Sequence, residues 1–330
     1  MRIAVIGAGS WGTALANLLA ANGQSTALWV REHELLELIR RQGENVWFLP
    51  GVQLDPGLSM SNKLAEVIQG AEFLLFAVPC QHFRTVLTIL KEYLPPRPVL
   101  VCASKGIEVQ NLKTMSQVVQ DELQGLEPSY ACLSGPSFAK EVSRGLPTAV
   151  SLGCTDKNLG AWLQQALATD VFRVYWNPDC MGVELGGALK NVMALAAGIT
   201  DGLGFGTGAR AALITRGLTE MSRMGVAMGA RQETFMGLSG LGDLVLTCTG
   251  DLSRNRQVGL RLGQGQSLQE ILKGMRMVAE GVQTTQALYS LGQRMGIDLP
   301  ITEQVHQILY QDKAPAQAVQ ELMQRTLKQE

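Results

Sequence analysis

Over the first 178 residues, short apolar runs alternate with longer stretches whose apolar positions recur at helical spacing. The runs at residues 73–78 and 99–103 are uninterrupted, which is typical of strands covered on both faces. Further strands are predicted at residues 3–6, 26–30, 130–134, 148–152 and 171–175, and helices at about 83–93 and 157–168. This alternation predicts a mostly parallel sheet with right-handed crossovers.

After residue 178 the pattern becomes helical, with glycine-rich turns between the helices. Helices are predicted at about 179–202, 207–228, 267–273, 280–295, 301–310 and from about 315. The one strand-like piece is residues 244–246, and residues 43–60 are predicted to be loop. We therefore expect an α/β domain of the Rossmann type over residues 1–178, followed by an all-α domain over residues 179–330 that binds the substrate.

The first apolar run stops at a glycine, and a helical pattern begins at once. Gly7, Gly9 and Gly12 have the spacing G-x-G-x-x-G, in which the glycines allow a tight turn, close approach of a pyrophosphate and close helix–strand packing. The backbone amides of Ser10, Trp11 and Gly12 would then face the phosphates at the helix N-terminus. The alternative is a glycine-rich turn without a ligand.

Charge and cysteine usage exclude several classes of function. The 330 residues contain 28 Lys+Arg and 29 Asp+Glu, a net charge of −1, so no basic excess indicates a nucleic-acid partner. The six cysteines are scattered, without C-x-x-C or Cys/His clusters, which indicates reduced thiols in a cytoplasmic protein and no metal site. Residues 3–30 carry no formal charge but are broken by glycine and asparagine, so we expect no targeting segment or membrane insertion.

Cofactor preference is left open by the end of the second predicted strand. The sequence there is Arg31-Glu32-His33-Glu34, about 20 residues after the glycines, where dinucleotide folds meet the adenosine ribose. Arg31 would suit a 2′-phosphate, whereas Glu32 would suit a free 2′-hydroxyl. The alternative is that all four residues form a solvated helix start. We expect Arg31 to contact the adenosine end.

Two polar groups follow buried strands, at the edge where open α/β sheets bind ligands. Lys105 stands in a Ser-Lys-Gly turn after the strand at 99–103, and Gly135-Pro136 opens a predicted helix at Ser137. A helix start of this kind suits an anion or an oxygen-rich substrate. A solvated loop lysine is the alternative for Lys105.

Lys190 is flanked by small residues on its predicted helix. Its neighbours at helical spacing are Val183, Gly186, Gly187, Ala194 and Ala197. Two glycines inside a helix destabilise it by roughly 1 kcal/mol each, which suggests that a cofactor ring and a small substrate approach closely. A lysine in such surroundings suits general acid–base chemistry. Tight helix packing with an outward-pointing lysine is the alternative.

A third polar cluster lies between residues 240 and 256. Asp243 is framed by glycines in an apolar setting, and Ser253-Arg254-Asn255 follows. Arg254 would hold a phosphate, with hydrogen bonds added by Ser253 and Asn255. A helix N-cap at Ser253 is the alternative.

Together, these motifs resemble the bacterial-type NAD(P)+-dependent glycerol-3-phosphate dehydrogenases nearly from end to end. The segments that carry the resemblance are residues 7–12, 104–106, 134–139, 185–191, 240–244 and 253–255. It implies reversible hydride transfer between NAD(P)H and dihydroxyacetone phosphate, which yields sn-glycerol 3-phosphate for phospholipid synthesis. Ser137 stands where many relatives have threonine and keeps the hydroxyl. The position of Arg31 varies in the family, so the resemblance implies no cofactor preference.

The resemblance also implies roles for individual residues. Lys190 would donate the proton in reduction and accept it in oxidation. Cofactor contacts would come from Ser10, Trp11, Arg31, Lys105, Ala139, Arg254, Val278 and Glu280. Substrate contacts would come from Lys105, Gly135, Ser137, Lys190, Asp243, Ser253, Arg254 and Asn255.

Two alternatives use the same residues. A β-hydroxyacid-type dehydrogenase would hold a carboxylate at residues 253–255, and a non-catalytic NAD(P)H sensor would bind the cofactor without turnover. A sensor would not require the small residues around Lys190. The expected partner is a small-molecule substrate, and the second domain offers apolar surface for a homodimer.

Overall fold

The computed structural model describes residues 1–275 and 279–326. The chain divides into two compact units, Met1–Lys105 with Lys113–Glu184, and Gly106–Leu112 with Leu185–Glu330. A helix at Cys180–Gly202 contains the last residues of the first unit and continues into the second. The division into a cofactor domain and a substrate domain at residue 178 stays a prediction.

The first unit contains an eight-stranded sheet. Its strands are β1 (Arg2–Ile6), β2 (Ser25–Trp29), β3 (Ser59–Ser61), β4 (Phe73–Phe76), β5 (Val99–Cys102), β6 (Ser129–Ser134), β7 (Thr148–Gly153) and β8 (Phe172–Asn177). They lie in the order β3-β2-β1-β4-β5-β6-β7-β8, and only the β6–β7 pair is antiparallel among these strands. The predicted Rossmann-type, mostly parallel sheet is confirmed.

Strand β3 begins inside the segment 43–60, for which the sequence predicts only loop. Its three residues pair with residues 27–29 of β2. So short a strand has no apolar alternation to reveal it, and tertiary pairing defines it.

Helices cover both faces of the sheet, which explains its uninterrupted apolar strands. Ile3 and Val5 of β1 belong to one core cluster, whereas Ala4 and Ile6 belong to another. Successive side chains of a strand point to opposite faces, so a strand buried on both faces is apolar throughout. The connecting helices are α1 (Ser10–Ala21), α2 (His33–Gln42), α3 (Leu64–Ile68), α4 (Cys80–Leu90), α5 (Met115–Glu122), α6 (Ala139–Val142) and α7 (Lys157–Leu167).

The second unit is helical, as predicted. Its helices are α8 (Cys180–Gly202), α9 (Gly206–Ala227), α10 (Asp243–Thr249), α11 (Arg254–Gly263), α12 (Leu268–Lys273), α13 (Glu280–Met295), α14 (Pro300–Tyr310) and α15 (Pro315–Met323). Helix α11 is absent from the sequence-based prediction.

The prediction of a strand at residues 244–246 is wrong, because these residues lie in α10. Leu244 is buried while Val245 is exposed, and the backbone N–H of Gly250 donates to the carbonyl oxygen of Leu246 at 2.9 Å. Three apolar residues fit the period of a strand or of a helix equally well, so their pattern could not decide.

Glycines bring α8 and α11 into backbone contact. A Cβ atom added at Gly198 would lie 2.1 Å from the carbonyl oxygen of Arg256, and one at Gly259 would lie 2.1 Å from that of Leu195. Real Cβ atoms do not approach so closely, so only glycine fits at either position. The start of α11 is thereby held against the helix that carries Lys190.

The cysteines and the hydropathy of the helices add two observations. All six cysteines are free, and burial raises the pKa of both Cys102 and Cys248 to about 12. No helix within residues 1–275 and 279–326 has the length and hydropathy needed to cross a membrane. The same residues contain no cluster of three His, Cys, Asp or Glu side chains arranged to hold a metal ion.

Candidate active site

The glycine-rich turn joins β1 to α1 as the motif predicts. Gly7 has φ +113°, a conformation that L-residues with side chains rarely adopt. A Cβ atom at Gly12 would lie 1.9 Å from the carbonyl oxygen of Gly7, so the third glycine lets α1 start directly on the turn. The turn ends at Gly9, which is the N-cap residue of α1. Because glycine has no side chain, no side-chain hydrogen bond caps this helix.

The space beside Gly9 is open. A Cβ atom added at Gly9 would have no neighbour within 4 Å, in contrast to Gly7 and Gly12. The start of α1 therefore faces an open volume where a pyrophosphate would meet backbone amides and the positive end of the helix dipole. The buried indole nitrogen of Trp11 has no hydrogen-bond acceptor among the described residues, so a ligand oxygen would satisfy it.

Asn45 supports the turn and was missed by the sequence analysis. Its side-chain Nδ2 donates to the carbonyl oxygen of Ala8 at 2.9 Å and to Oγ1 of Thr13 at 2.8 Å. It is fully buried, so these bonds hold the backbone between Gly7 and Gly9 in place. A single asparagine in a loop 37 residues away gives no local signal of this contact.

The structure brings together Lys105, Gly135 and Ser137, which follow the neighbouring strands β5 and β6. The carbonyl oxygen of Gly135 accepts hydrogen bonds from Nζ of Lys105 at 3.3 Å and from Oγ of Ser137 at 3.0 Å. Gly135 has φ +147°, and a Cβ atom there would lie 2.8 Å from Cα of Val150. The predicted helix start at Ser137 is displaced, because α6 begins at Ala139.

Two further predicted cofactor residues lie elsewhere in the first unit. Ala139 packs beside Ala14 of α1 in a small apolar cluster, which places it next to the helix of the glycine turn. Arg31 follows β2, and its Nε and Nη2 donate to Oε1 of Glu32 at 2.9 and 2.6 Å.

The second unit holds a buried lysine–carboxylate pair. Nζ of Lys190 on α8 lies 2.5 Å from Oδ1 of Asp243 and 2.8 Å from Oγ1 of Thr247, both on α10. Lys190 is 7 % exposed and Asp243 is fully buried, so the lysine does not extend outward into solvent. A buried charge pair with good geometry strongly fixes both side chains.

One expectation about the small residues around Lys190 is corrected. A Cβ atom at Gly186 would lie 2.4 Å from the carbonyl oxygen of Ser239, in the π-helical segment Leu238–Gly242 that precedes α10. Protein backbone, not a cofactor ring, therefore occupies the space at this glycine. The same approach brings Asp243 to Lys190, so the glycine serves the site indirectly.

Helix α11 begins with the Ser-Arg-Asn cluster. Oγ of Ser253 accepts from the backbone N–H of Arg256 at 3.2 Å, so Ser253 is the N-cap. Arg254 is exposed on the first turn and lines a cavity of about 250 Å³ with Asp251, Leu252, Gln257, Val258, Arg261, Ile271 and Met275. A cation at a helix N-terminus beside a cavity can bind an anion.

Asn255 connects three helices through its buried amide. Its Nδ2 donates to Oδ1 of Asn191 on α8 at 2.9 Å, and its Oδ1 accepts from the backbone N–H of Gly281 on α13 at 3.0 Å. Glu280 begins α13, and its carboxylate interacts electrostatically with Arg254. The predicted cofactor residue Val278 lies outside the described residues.

Thr247 and Asn191 were both missed as site residues. Asn191 directly follows Lys190, and Thr247 is one helical turn after Asp243, so a helical prediction for residues 243–249 would have placed Thr247 beside the carboxylate. The incorrect strand assignment at residues 244–246 hid that relation.

Family models match both parts of the chain. The N-terminal model of NAD-dependent glycerol-3-phosphate dehydrogenase matches residues 2–160, and the C-terminal model matches residues 179–320.

Relatives match the chain over nearly its full length. The glycerol-3-phosphate dehydrogenase (NAD(P)+) of Maridesulfovibrio salexigens is 59 % identical over 330 residues, which is all of both chains. The solved glycerol-3-phosphate dehydrogenase of Coxiella burnetii has a TM-score of 0.95 and 43 % identity, covering 98 % of this chain and 99 % of that one. The enzyme solved from Saccharomyces cerevisiae has a TM-score of 0.84 and 27 % identity, covering 98 % and 99 %. The chain therefore belongs to the NAD-dependent glycerol-3-phosphate dehydrogenase family.

Proposed function

We propose that this chain reduces dihydroxyacetone phosphate to sn-glycerol 3-phosphate with NAD(P)H, and catalyses the reverse oxidation. The observation that carries the proposal is the buried pair of Lys190 and Asp243, which presents an ammonium group beside the start of α11. The resemblance to named dehydrogenases supports the same reaction.

The chemistry divides between the cofactor and the protein. When bound, the nicotinamide supplies the hydride for reduction or takes it in oxidation. Nζ of Lys190 donates a proton to the carbonyl oxygen as that oxygen becomes an alkoxide, and the neutral amine takes the proton back in oxidation. Asp243 and Thr247 hold the ammonium group in one orientation, so little reorganisation is needed during the reaction.

The start of α11 binds the phosphate of the substrate. Arg254 provides a charge-assisted contact, the hydroxyl of Ser253 donates a hydrogen bond, and the helix N-terminus adds a favourable field. Asn255 has one N–H bonded to Asn191, which leaves the second N–H of the amide to donate to a substrate oxygen. Binding energy from the phosphate then orients the distant carbonyl for reaction.

The glycine turn, Ser10, Trp11, Arg31, Lys105 and Ala139 bind the cofactor, and by resemblance to the family so do Arg254, Val278 and Glu280. Lys105 adds positive field, and Gly135 and Ser137 contact the substrate. We assign cofactor binding to residues 1–178 and substrate binding to residues 179–330. The enzyme works in the cytoplasm, supplies phospholipid synthesis and forms a homodimer, which sedimentation of the purified protein would test.

The deciding experiment mixes purified protein with dihydroxyacetone phosphate and either NADH or NADPH, in separate assays. Loss of the reduced-nicotinamide absorbance with either cofactor supports the reaction. No loss in protein shown to bind the cofactor would refute it. Small keto acids are then assayed, because Arg254 can hold a carboxylate as well as a phosphate. Binding without turnover of any substrate would indicate a sensor.

A further inference from the structure

The segment between β2 and α2 carries an ion pair at the end of β2, the neighbour of the edge strand β3. Nε and Nη2 of Arg31 both donate to Oε1 of Glu32, at 2.9 and 2.6 Å. Glu32 is the N-cap residue of α2, yet its side chain makes no capping hydrogen bond. The carboxylate of Glu32 therefore bonds to the guanidinium group of Arg31 and not to the backbone N–H groups at the start of α2.

The neighbouring strand end carries a second pair. Nζ of Lys63, just after β3, lies 2.9 Å from Oε1 of Glu66, and Oγ of Ser61 donates to Oε2 of Glu66 at 2.6 Å. These hydrogen bonds lower the pKa of Glu66, so its carboxylate is ionised near neutral pH. The cation of Lys63 is thus locally neutralised.

Carboxylates outnumber cations at this edge of the sheet. Arg31 and Lys63 oppose Glu32, Glu34 and Glu66, and Glu34 lies exposed in the first turn of α2. Arg40 of α2 also reaches this edge, because its Nη2 donates to the carbonyl oxygen of Met60 in β3 at 3.3 Å, but its pairing with Glu37 at 3.0 Å leaves the excess of carboxylates unchanged. Exposed ion pairs are individually weak, so the position of Glu32 directly after β2, and not the strength of its pair with Arg31, carries the inference.

This charge balance discriminates between the two cofactors. In dinucleotide folds the adenosine ribose lies at the end of the second strand, where a carboxylate accepts a hydrogen bond from a free 2′-hydroxyl. A 2′-phosphate placed there needs cations, and a carboxylate in contact with it is repelled by like charge.

We propose that Glu32 makes this chain prefer NADH to NADPH, by accepting the ribose 2′-hydroxyl and by neutralising Arg31. The inference rests on the proposed function, since it assumes that the glycine turn binds a dinucleotide. Arg31 stacks beside the adenosine and stays bonded to Glu32 when NADH binds. NADPH has to break that pair and then lies against the remaining carboxylates.

Binding titrations without substrate test this preference. The dissociation constants of NADH and NADPH are measured separately, from the fluorescence of the bound reduced nicotinamide, for the unmodified protein, Glu32→Gln, Arg31→Gln and Glu34→Gln. We expect NADH to bind about tenfold more tightly than NADPH to the unmodified protein. Glu32→Gln should lower this ratio by about tenfold or more, since it releases Arg31 for the phosphate. Glu34→Gln changes the net charge equally and should shift the ratio by less than about threefold.

Each outcome decides a different point. Equal binding of both cofactors, or tighter binding of NADPH, overturns the proposal, as does an unchanged ratio in Glu32→Gln. If Glu34→Gln lowered the ratio of the two dissociation constants as much as Glu32→Gln, net charge alone would explain the preference, and the role of Glu32 would be overturned. Absence of binding by either cofactor would overturn both this inference and the proposed function. Cofactor binding with the expected ratio but no reduction of dihydroxyacetone phosphate would refute only the proposed function.

Discussion

Glycines do opposite work at two places in this chain, the turn between β1 and α1 and the helix α8. At the turn between β1 and α1, a side chain at Gly9 would meet nothing within 4 Å, so the protein leaves that space open. In the second unit, side chains at Gly186 and Gly198 would overlap protein backbone at 2.4 and 2.1 Å. Gly9 therefore leaves room for a ligand, whereas Gly186 and Gly198 let α8 pack closely against its neighbours.

The same contrast extends to how each unit presents chemical groups. The turn offers backbone amides and a helix dipole, which suit a phosphate of any substrate carrying one. The second unit instead holds side chains already engaged with one another, as in the 2.5 Å pair of Lys190 and Asp243. Substitutions at the glycine turn should therefore lower cofactor affinity, whereas substitutions at the Lys190 pair should lower kcat.

The largest effect is expected from Lys190→Ala. We expect kcat to fall by about 10³-fold, because the proton donor is lost, while the dissociation constant of the reduced cofactor stays within about twofold. Steady-state kinetics and a cofactor titration measure the two quantities. Normal turnover would remove Lys190 from the mechanism.

Asp243 requires a companion variant, since removing the lysine takes the ammonium group away from a buried carboxylate, at a cost of about 3–5 kcal/mol. The double variant Lys190→Met with Asp243→Asn removes both charges. It should lose kcat to the same extent while recovering thermal stability. A cofactor affinity that collapses in both variants would contradict the independence of the two units.

Arg254→Ala is expected to raise the KM for dihydroxyacetone phosphate by about 10²-fold, because a charge-assisted contact to the phosphate is lost. Arg261→Ala is the matched control. Arg261 lies on the same helix and lines the same cavity. Its removal should leave KM within about twofold. Equal effects of the two substitutions would refute a specific phosphate role for Arg254.

Gly9→Ala and Gly198→Ala test the opposite uses of glycine directly. Gly9 has φ −70°, which alanine adopts freely, so Gly9→Ala should lower the free energy of unfolding by less than about 1 kcal/mol. It should weaken cofactor binding by about tenfold or more, because the methyl group fills the space of the pyrophosphate.

Gly198→Ala should do the reverse. The free energy of unfolding should fall by about 2 kcal/mol or more as α8 and α11 are forced apart, with a smaller loss of cofactor affinity than in Gly9→Ala. Thermal melts and cofactor titrations of both variants make the comparison. If Gly9→Ala lost stability and kept its affinity, the open space at the turn would not be a binding site.

Local signals predicted the parts of the site that lie close together in sequence. The spacing of Gly7, Gly9 and Gly12 predicts the turn, and uninterrupted apolar runs predict strands because both faces of the sheet are covered. Lys190 stood out because its helical neighbours are small. Each of these features depends on residues within about two helical turns.

Contacts between distant segments were not predictable in this way. Asp243 lies 53 residues after Lys190, and Asn45 lies 37 residues after the Ala8 carbonyl that it binds. Their partners follow from the packing of α10 on α8 and of the 43–60 segment on the glycine turn. A wrong period assignment at residues 244–246 then concealed Thr247, since only a helix places it beside Asp243.

The smallest effect is expected from substitution of His306 on α14. This titratable side chain belongs to the second unit but is not part of the Lys190 pair. Its ring stacks on Tyr289 with centroids 3.9 Å apart, and Nε2 lies 3.2 Å from Oε1 of Gln286. Burial lowers the pKa of His306 below its ordinary value. The folded chain therefore binds fewer protons than the unfolded chain between that lower pKa and about pH 6.5, and stability falls as pH decreases through this window.

His306→Phe keeps a flat ring against Tyr289 but cannot be protonated. We expect its free energy of unfolding to depend less on pH between about pH 5 and 7, by at most about 1.4 kcal/mol per pH unit. Denaturant titrations at several pH values measure this slope. The difference between the two proteins at pH 8 (where neutral histidine predominates in both states) gives the contribution of the lost Gln286 contact and is subtracted. An unchanged slope would show that His306 does not contribute to the pH dependence of the free energy of unfolding, and that other groups govern the acid sensitivity of the chain.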